Sequence, residues 1–174
     1  MNANTIINYL RNKKFILYFC LDVVLILISI LIGYIFGDFL NIKEVKNESV
    51  SLSFVSIFTH NLTLSIILIL GTQILSYPVI TFNSFFLGIN LNFAIRIYGI
   101  RDTINLIIYH TPIEIFGWLL TLLISKKMLT LYKLIYNKKN FLNLLRGILL
   151  YLFILIIIYL ISSIIEANVI KKTF

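Results

Sequence analysis

The chain has little of what a soluble domain is built on. Of its 174 residues only 13% are charged, 7 are Gly, 2 are Pro, 2 are His, and there is one Cys and one Trp. A soluble domain carries about 25% charged residues, so an ordinary water-soluble globule is excluded. One cysteine excludes a disulfide framework and a cysteine zinc cluster. So few prolines and glycines exclude collagen-like and linker-rich chains. There is no Walker lysine motif and no GxGxxG, so no nucleotide energy source is encoded, and active transport would need a partner ATPase. HExxH and GxSxG are missing too, which removes a zincin-type or serine hydrolase. Cys20 has no histidine beside it and reads as packing. Nothing in the chain calls for a cofactor.

What is present is hydrophobic: 60% of residues, with a mean hydropathy of +0.99. About 20 helical residues cross a ~30 Å hydrocarbon core. Apolar runs of this order cover 15–40, 52–74, 78–98, 103–125 and 144–165. The expected fold is all-α, a single polytopic membrane domain over 1–174 with about five transmembrane helices. Leu75, Ser76 and Tyr77 separate the second run from the third, with Pro78 opening the new helix. The first run is long and contains Asp22, which suits a retained anchor rather than a cleaved signal peptide.

The net charge is +8. In a membrane chain this excess contacts anionic lipid and sets topology, so nucleic acid is not the expected partner. With the N-terminus inside, the inner segments hold Arg11, Lys13, Lys14, Lys126, Lys127, Lys133, Lys138, Lys139 and Arg146. The outer segments hold Lys43, Lys46, Arg96, Arg101, Lys171 and Lys172. That bias of 9 to 6 favours N-inside, C-outside. The stretch 126–146 reads as a basic cytoplasmic loop or as an interfacial helix, since apolar residues alternate with lysines there.

Intramembrane polar groups mark functional or structural centres because they are costly in hydrocarbon. Asp22, Glu114, Glu166, His60, His110, Asn61, Asn83, Asn90 and Asn92 all fall in or beside the apolar runs. Thr103, His110, Glu114, Gly117, Thr121 and Ser125 share one helical face. Tyr18, Asp22, Ser29 and Gly33 share another, and Gly33 and Gly37 form a GxxxG. Ser84, Gly88, Asn92 and Arg96 follow at intervals of four. Two readings stand: interhelical glue, or the lining of a cavity. Thr111 suits an N-cap, Pro112 a first helical position and Glu114 a capping box, so the fourth span is expected to break at Pro112. His110 and Glu114 form HxxxE, a spacing that also suits two ligands of a metal site, with His60 as a third candidate.

Several segments together resemble the stage II sporulation protein M family. They are Ser56-Ile57-Phe58-Thr59-His60-Asn61, Gly71, Phe82-Asn83-Ser84-Phe85-Phe86-Leu87-Gly88, His110-Thr111-Pro112-Ile113-Glu114 and Ile165-Glu166-Ala167. The order and spacing of its F-x-N-N, N-G-x-x-x-G, H-G-x-x-E and I-E-A elements are kept from about residue 54 to 167. His60 stands where the first asparagine is common, Ser84 replaces a glycine, and Thr111-Pro112 replaces another. The resemblance implies a protein of the bacterial cytoplasmic membrane without established chemistry. One branch anchors peptidoglycan hydrolases in sporulation. Another accompanies circular-bacteriocin biosynthesis, in maturation, cyclisation or export of a hydrophobic peptide.

The expectation is a non-enzymatic scaffold or accessory factor of that second type. Its binding residues are Asn61, Asn83, His110, Glu114 and Glu166, and its partners are lipid, a hydrophobic peptide or a membrane protein, and a second copy of the chain. The alternatives are the sporulation-type anchor, an intramembrane metal-dependent peptidase or ligase using His110 and Glu114 as catalytic residues, and a transporter or immunity subunit.

Overall fold

A computed structural model describes residues 13–40, 54–137 and 140–173. Arg11, Lys43, Lys46, Lys138 and Lys139, which entered the charge count, lie outside the described residues, as do Leu52 and Ser53 at the start of the second apolar run. Among the described residues five helices follow one another: α1 Lys13–Gly37, α2 Phe54–Leu70, α3 Thr72–Ile107, α4 Thr111–Tyr136 and α5 Leu142–Thr173. Four are long and apolar enough to cross a membrane. The fifth, α2, has 17 residues, or about 25 Å at 1.5 Å per residue. The all-α membrane bundle expected from composition is the observed architecture.

α4 is the central helix. Over its membrane window 56% of residues are buried, against 22–28% in the other long spans. Two apolar clusters meet on it. Trp118, Leu119 and Leu122 pack with Ile26 of α1, Leu68 of α2 and Ile80 of α3. Leu120, Ile124, Met128 and Leu131 pack with Ile69 of α2 and with Ile148, Leu155 and Tyr159 of α5. The apolar residues left over face outward, for example Leu21, Leu31, Phe153 and Ile157. Such outward apolar faces suit a lipid environment.

α1 and α3 run parallel and form the most extensive helix contact in the molecule. Missing side chains make it possible. A Cβ on Gly33 would strike the Phe85 carbonyl oxygen, and one on Gly88 would strike the Ile30 carbonyl oxygen. Gly37 faces the side chain of Asn92. The GxxxG of α1 is therefore used, and Gly88 answers it from the opposite helix. Polar contacts close both ends of the pair. At one end the Tyr77 hydroxyl donates to Asp22 at 2.7 Å, and the Lys126 ammonium of α4 donates to the other Asp22 oxygen at 2.5 Å. At the other end Asn92 donates to Asp38 at 2.9 Å and to the Tyr34 carbonyl at 3.0 Å, while Arg96 pairs with Asp38. Hydrogen bonds from Asn92 and Arg96 hold the Asp38 carboxyl below its ordinary range. Its share in joining α1 to α3 is thus present at neutral pH and is lost on acidification through that lowered value.

The helix boundaries differ from the sequence expectation in three places. The break between the second and third helices lies at Gly71 and Thr72, not at 75–77, and Pro78 sits inside α3. The Ser76 hydroxyl explains the shift. It donates to the Thr72 carbonyl and, across the turn, to the Leu68 carbonyl, both at 2.8 Å. Thr72 holds φ 59, a left-handed backbone that a β-branched residue adopts only at a cost. The second difference is the fourth span. Residues 103–107 belong to the end of α3, beyond a bend at Gly99, whose φ of 82 and ψ of 166 interrupt the helix. The expected break before Pro112 is present, as a turn over 108–110, but the helix that follows has 26 residues rather than ending near Ser125. Residues 126–136 continue α4 unbroken, and 142–146 open α5. Third, His110 rather than Thr111 is the N-cap residue of α4. Its carbonyl accepts from the N–H groups of Ile113 and Glu114 at 3.1 and 3.0 Å, so the helix starts one residue early and no capping box forms.

The Asp22–Lys126 pair is buried in the α1–α3–α4 interface. Asp22→Asn alone leaves an unpaired ammonium there, and should cost ~3–5 kcal/mol. Asp22→Asn combined with Lys126→Met should recover most of that loss in a thermal melt of the detergent-purified protein. Equal destabilisation by the single and double variants would show that the pair does not couple the helices.

Candidate functional site

α2 and α3 are joined by a tight turn yet make one of the smaller helix contacts of the bundle. Between them, with α4 and α5 behind, lies a cavity of about 410 Å³. α2 contributes His60, Asn61 and Ser65, α3 contributes Asn83 and Asn90, α4 contributes Glu114, Trp118 and Thr121, and α5 contributes Tyr159. Each helix supplies these side chains at helical spacing, so the polar stripes of four separate segments converge on one space.

The floor is a closed hydroxyl cluster. Ser65 and Tyr159 hydroxyls lie 2.7 Å apart. Thr121 donates to Ser65 at 3.1 Å and to the Gly117 carbonyl at 2.9 Å. All three side chains are at most 3% exposed. The Tyr159 ring occupies the space a Cβ would take at Gly117, which would lie 2.7 Å from its Cε1. Gly117 therefore lets α5 approach α4 and places the phenol on the cavity floor.

The walls differ from the floor. Among the described residues, His60, Asn61, Asn83, Asn90 and Glu114 form no hydrogen bond or ion pair with another side chain. His60 and Asn90 are exposed at the rim, beside Phe82 and Phe86, whose rings meet edge-on at 4.6 Å. Amides and a carboxyl left open at membrane depth are tolerated where they face water or a polar ligand.

Of the residues expected from sequence, the structure brings Asn61, Asn83, Glu114 and His60 together on this cavity. His110 does not line it; it caps α4 one turn before Glu114. Glu166 does not line it either, but lies within electrostatic range of Glu114. The carboxyls of α4 and α5 are thus neighbours without both facing the cavity. Among the described residues no three or more His, Cys, Asp or Glu side chains form a group suited to a metal ion. Sequence reasoning assigned no binding role to Ser65, Thr121 or Tyr159. Thr121 stood on the polar face of its helix, whereas Ser65 lies among apolar neighbours and carried no periodic signal.

The family model described as Stage II sporulation protein M covers residues 22–169. No curated protein and no solved structure matches the chain significantly. The matched range includes every cavity residue and the Asp22–Lys126 pair.

Tyr159→Phe removes one hydroxyl but leaves Thr121 bonded to Ser65, so it should cost only ~1 kcal/mol. Gly117→Ala drives a methyl into a ring that cannot retreat and should cost ~1–3 kcal/mol. Thermal unfolding in one detergent should rank them in that order.

Proposed function

We propose that this chain, which belongs to the stage II sporulation protein M family, is a non-enzymatic membrane scaffold that receives a hydrophobic peptide or partner helix in the wedge between α2 and α3. The observation that carries this reading is the cavity itself. Unpartnered polar walls stand beside exposed phenylalanines, and no three or more His, Cys, Asp or Glu side chains gather there as a metal-ligand group among the described residues. Such a lining is suited to binding and orienting a ligand.

The family's circular-bacteriocin branch supplies the class of partner: a small hydrophobic peptide undergoing maturation, cyclisation or export, with energy from a separate ATPase where transport is involved. On this reading the bundle sits in the bacterial cytoplasmic membrane with its N-terminus inside and its C-terminus outside, as the charge bias favours. Contacts between the helices support the alternation this requires. α1, α3 and α5 run one way and α2 and α4 the other, so Lys126, Lys127, Lys133 and Arg146 gather at the end where α1 begins. Anchoring of peptidoglycan hydrolases is the competing reading, and it uses the outer surface rather than the cavity.

Crosslinking of the tagged protein in its native host, followed by mass spectrometry, separates the two. A hydrophobic precursor peptide or its exporter should be recovered, and Glu114→Gln should reduce that recovery several-fold at equal expression. Recovery of cell-wall hydrolases, unchanged in Glu114→Gln, would overturn the peptide-scaffold reading.

A further inference from the structure

The cavity walls are one-sided in charge. They present the Glu114 carboxyl and the side-chain amides of Asn61, Asn83 and Asn90, with His60 at the rim; Glu114 is the one acid among the lining residues, and no lysine or arginine joins it. The nearby intramembrane cations are taken: Lys126 by Asp22 and Arg96 by Asp38. Among the described residues neither Glu114 nor Glu166 has a cationic partner. A cavity of this size holds the end of a chain rather than a folded segment. Its floor hydroxyls are already engaged with one another. The open carboxyl is complemented by a group that carries positive charge and donates several hydrogen bonds, which amide oxygens turned toward it can accept. A primary ammonium has three donors and no acceptor. Trp118 is among the lining residues, and an aromatic ring is a surface such a cation favours.

We propose that the cavity binds the free α-ammonium group at the N-terminus of a hydrophobic peptide, with Glu114 as its counter-ion and the asparagine carbonyls as the remaining acceptors. The apolar residues after the terminus leave past Phe82 and Phe86, toward lipid. This rests on the peptide-scaffold reading and deepens it: the protein recognises an end, which a cyclising or exporting partner must find. A peptide whose terminus is held cannot use that amine as a nucleophile until it is released.

The single tryptophan of the chain lines the site, so its fluorescence reports occupancy without a label. The probe is a 12-residue Leu/Ala-rich peptide with a free N-terminus, titrated at neutral pH into the full-length protein in lipid nanodiscs. Its N-acetylated counterpart is titrated in parallel. The free peptide should give a saturable change in Trp118 emission, with affinity about ten- to a hundredfold above that of the acetylated one, the scale of a lost charge-assisted hydrogen bond. Glu114→Gln should abolish the preference, and Glu114→Asp, which keeps the charge, should retain part of it. Equal saturable binding of both peptides would overturn the ammonium assignment while leaving a peptide site in place. No saturable response to either peptide, from protein that elutes as a single folded species, would overturn both.

Discussion

A polar side chain in hydrocarbon has to find a partner, and α4, the most buried of the long helices, carries two such partnerships that tie other helices to it. Near the middle of its buried length it offers Thr121 to Ser65 and Tyr159, and Lys126 to Asp22. Through them it holds α2, α5 and α1. Between these contacts, two apolar clusters use the same helix from different sides. The remaining helix, α3, is held against α1 by close backbone approach at Gly33 and Gly88. In a bilayer there is no hydrophobic force between helices to do this, because lipid is as apolar as leucine. Packing of small residues and pairing of polar ones must supply it.

The same constraint gives the unpaired groups their meaning. The molecule satisfies Asp22, Asp38, Lys126, Arg96, Ser65, Thr121, Tyr159 and Ser76 within itself. Glu114 and three asparagines at the α2–α3 wedge are left open to a cavity. The floor hydroxyls pair with one another across helices, whereas these wall groups pair with no other side chain among the described residues. The contrast lies within one site: a floor that joins helices and walls that face open space.

The wedge also depends on local geometry at its apex. The hairpin turns at Gly71 and Thr72, with Ser76 bonded to both sides of the turn. That short closure holds the two helices together at one end only. Beyond it α3 follows α1, and α2 follows α4 and α5. The gap between them is the consequence of two helices with different partners.

How much of this was legible in the sequence follows from the range of each force. Hydropathy acts residue by residue, so the all-α membrane class and the core of the spans could be read directly. The break before Pro112 could be read as well, because a missing N–H is a local fact. Intramembrane polarity marked Asn61, Asn83 and Glu114 as unusual wherever they would end up. The turn at Gly71 was hidden because Pro78 carries the stronger local signal, while the deciding hydrogen bonds of Ser76 depend on the turn having closed. Ser65 was hidden because one hydroxyl among apolar residues has no period. Which carboxyl meets which cation was beyond reach of sequence: Asp22 and Lys126 are 104 positions apart. Composition and periodicity determined what the chain is made of and which groups are costly to bury. Only tertiary packing decided which of those groups are matched and which remain open, because pairing in a membrane is settled by contact between helices rather than by order along the chain.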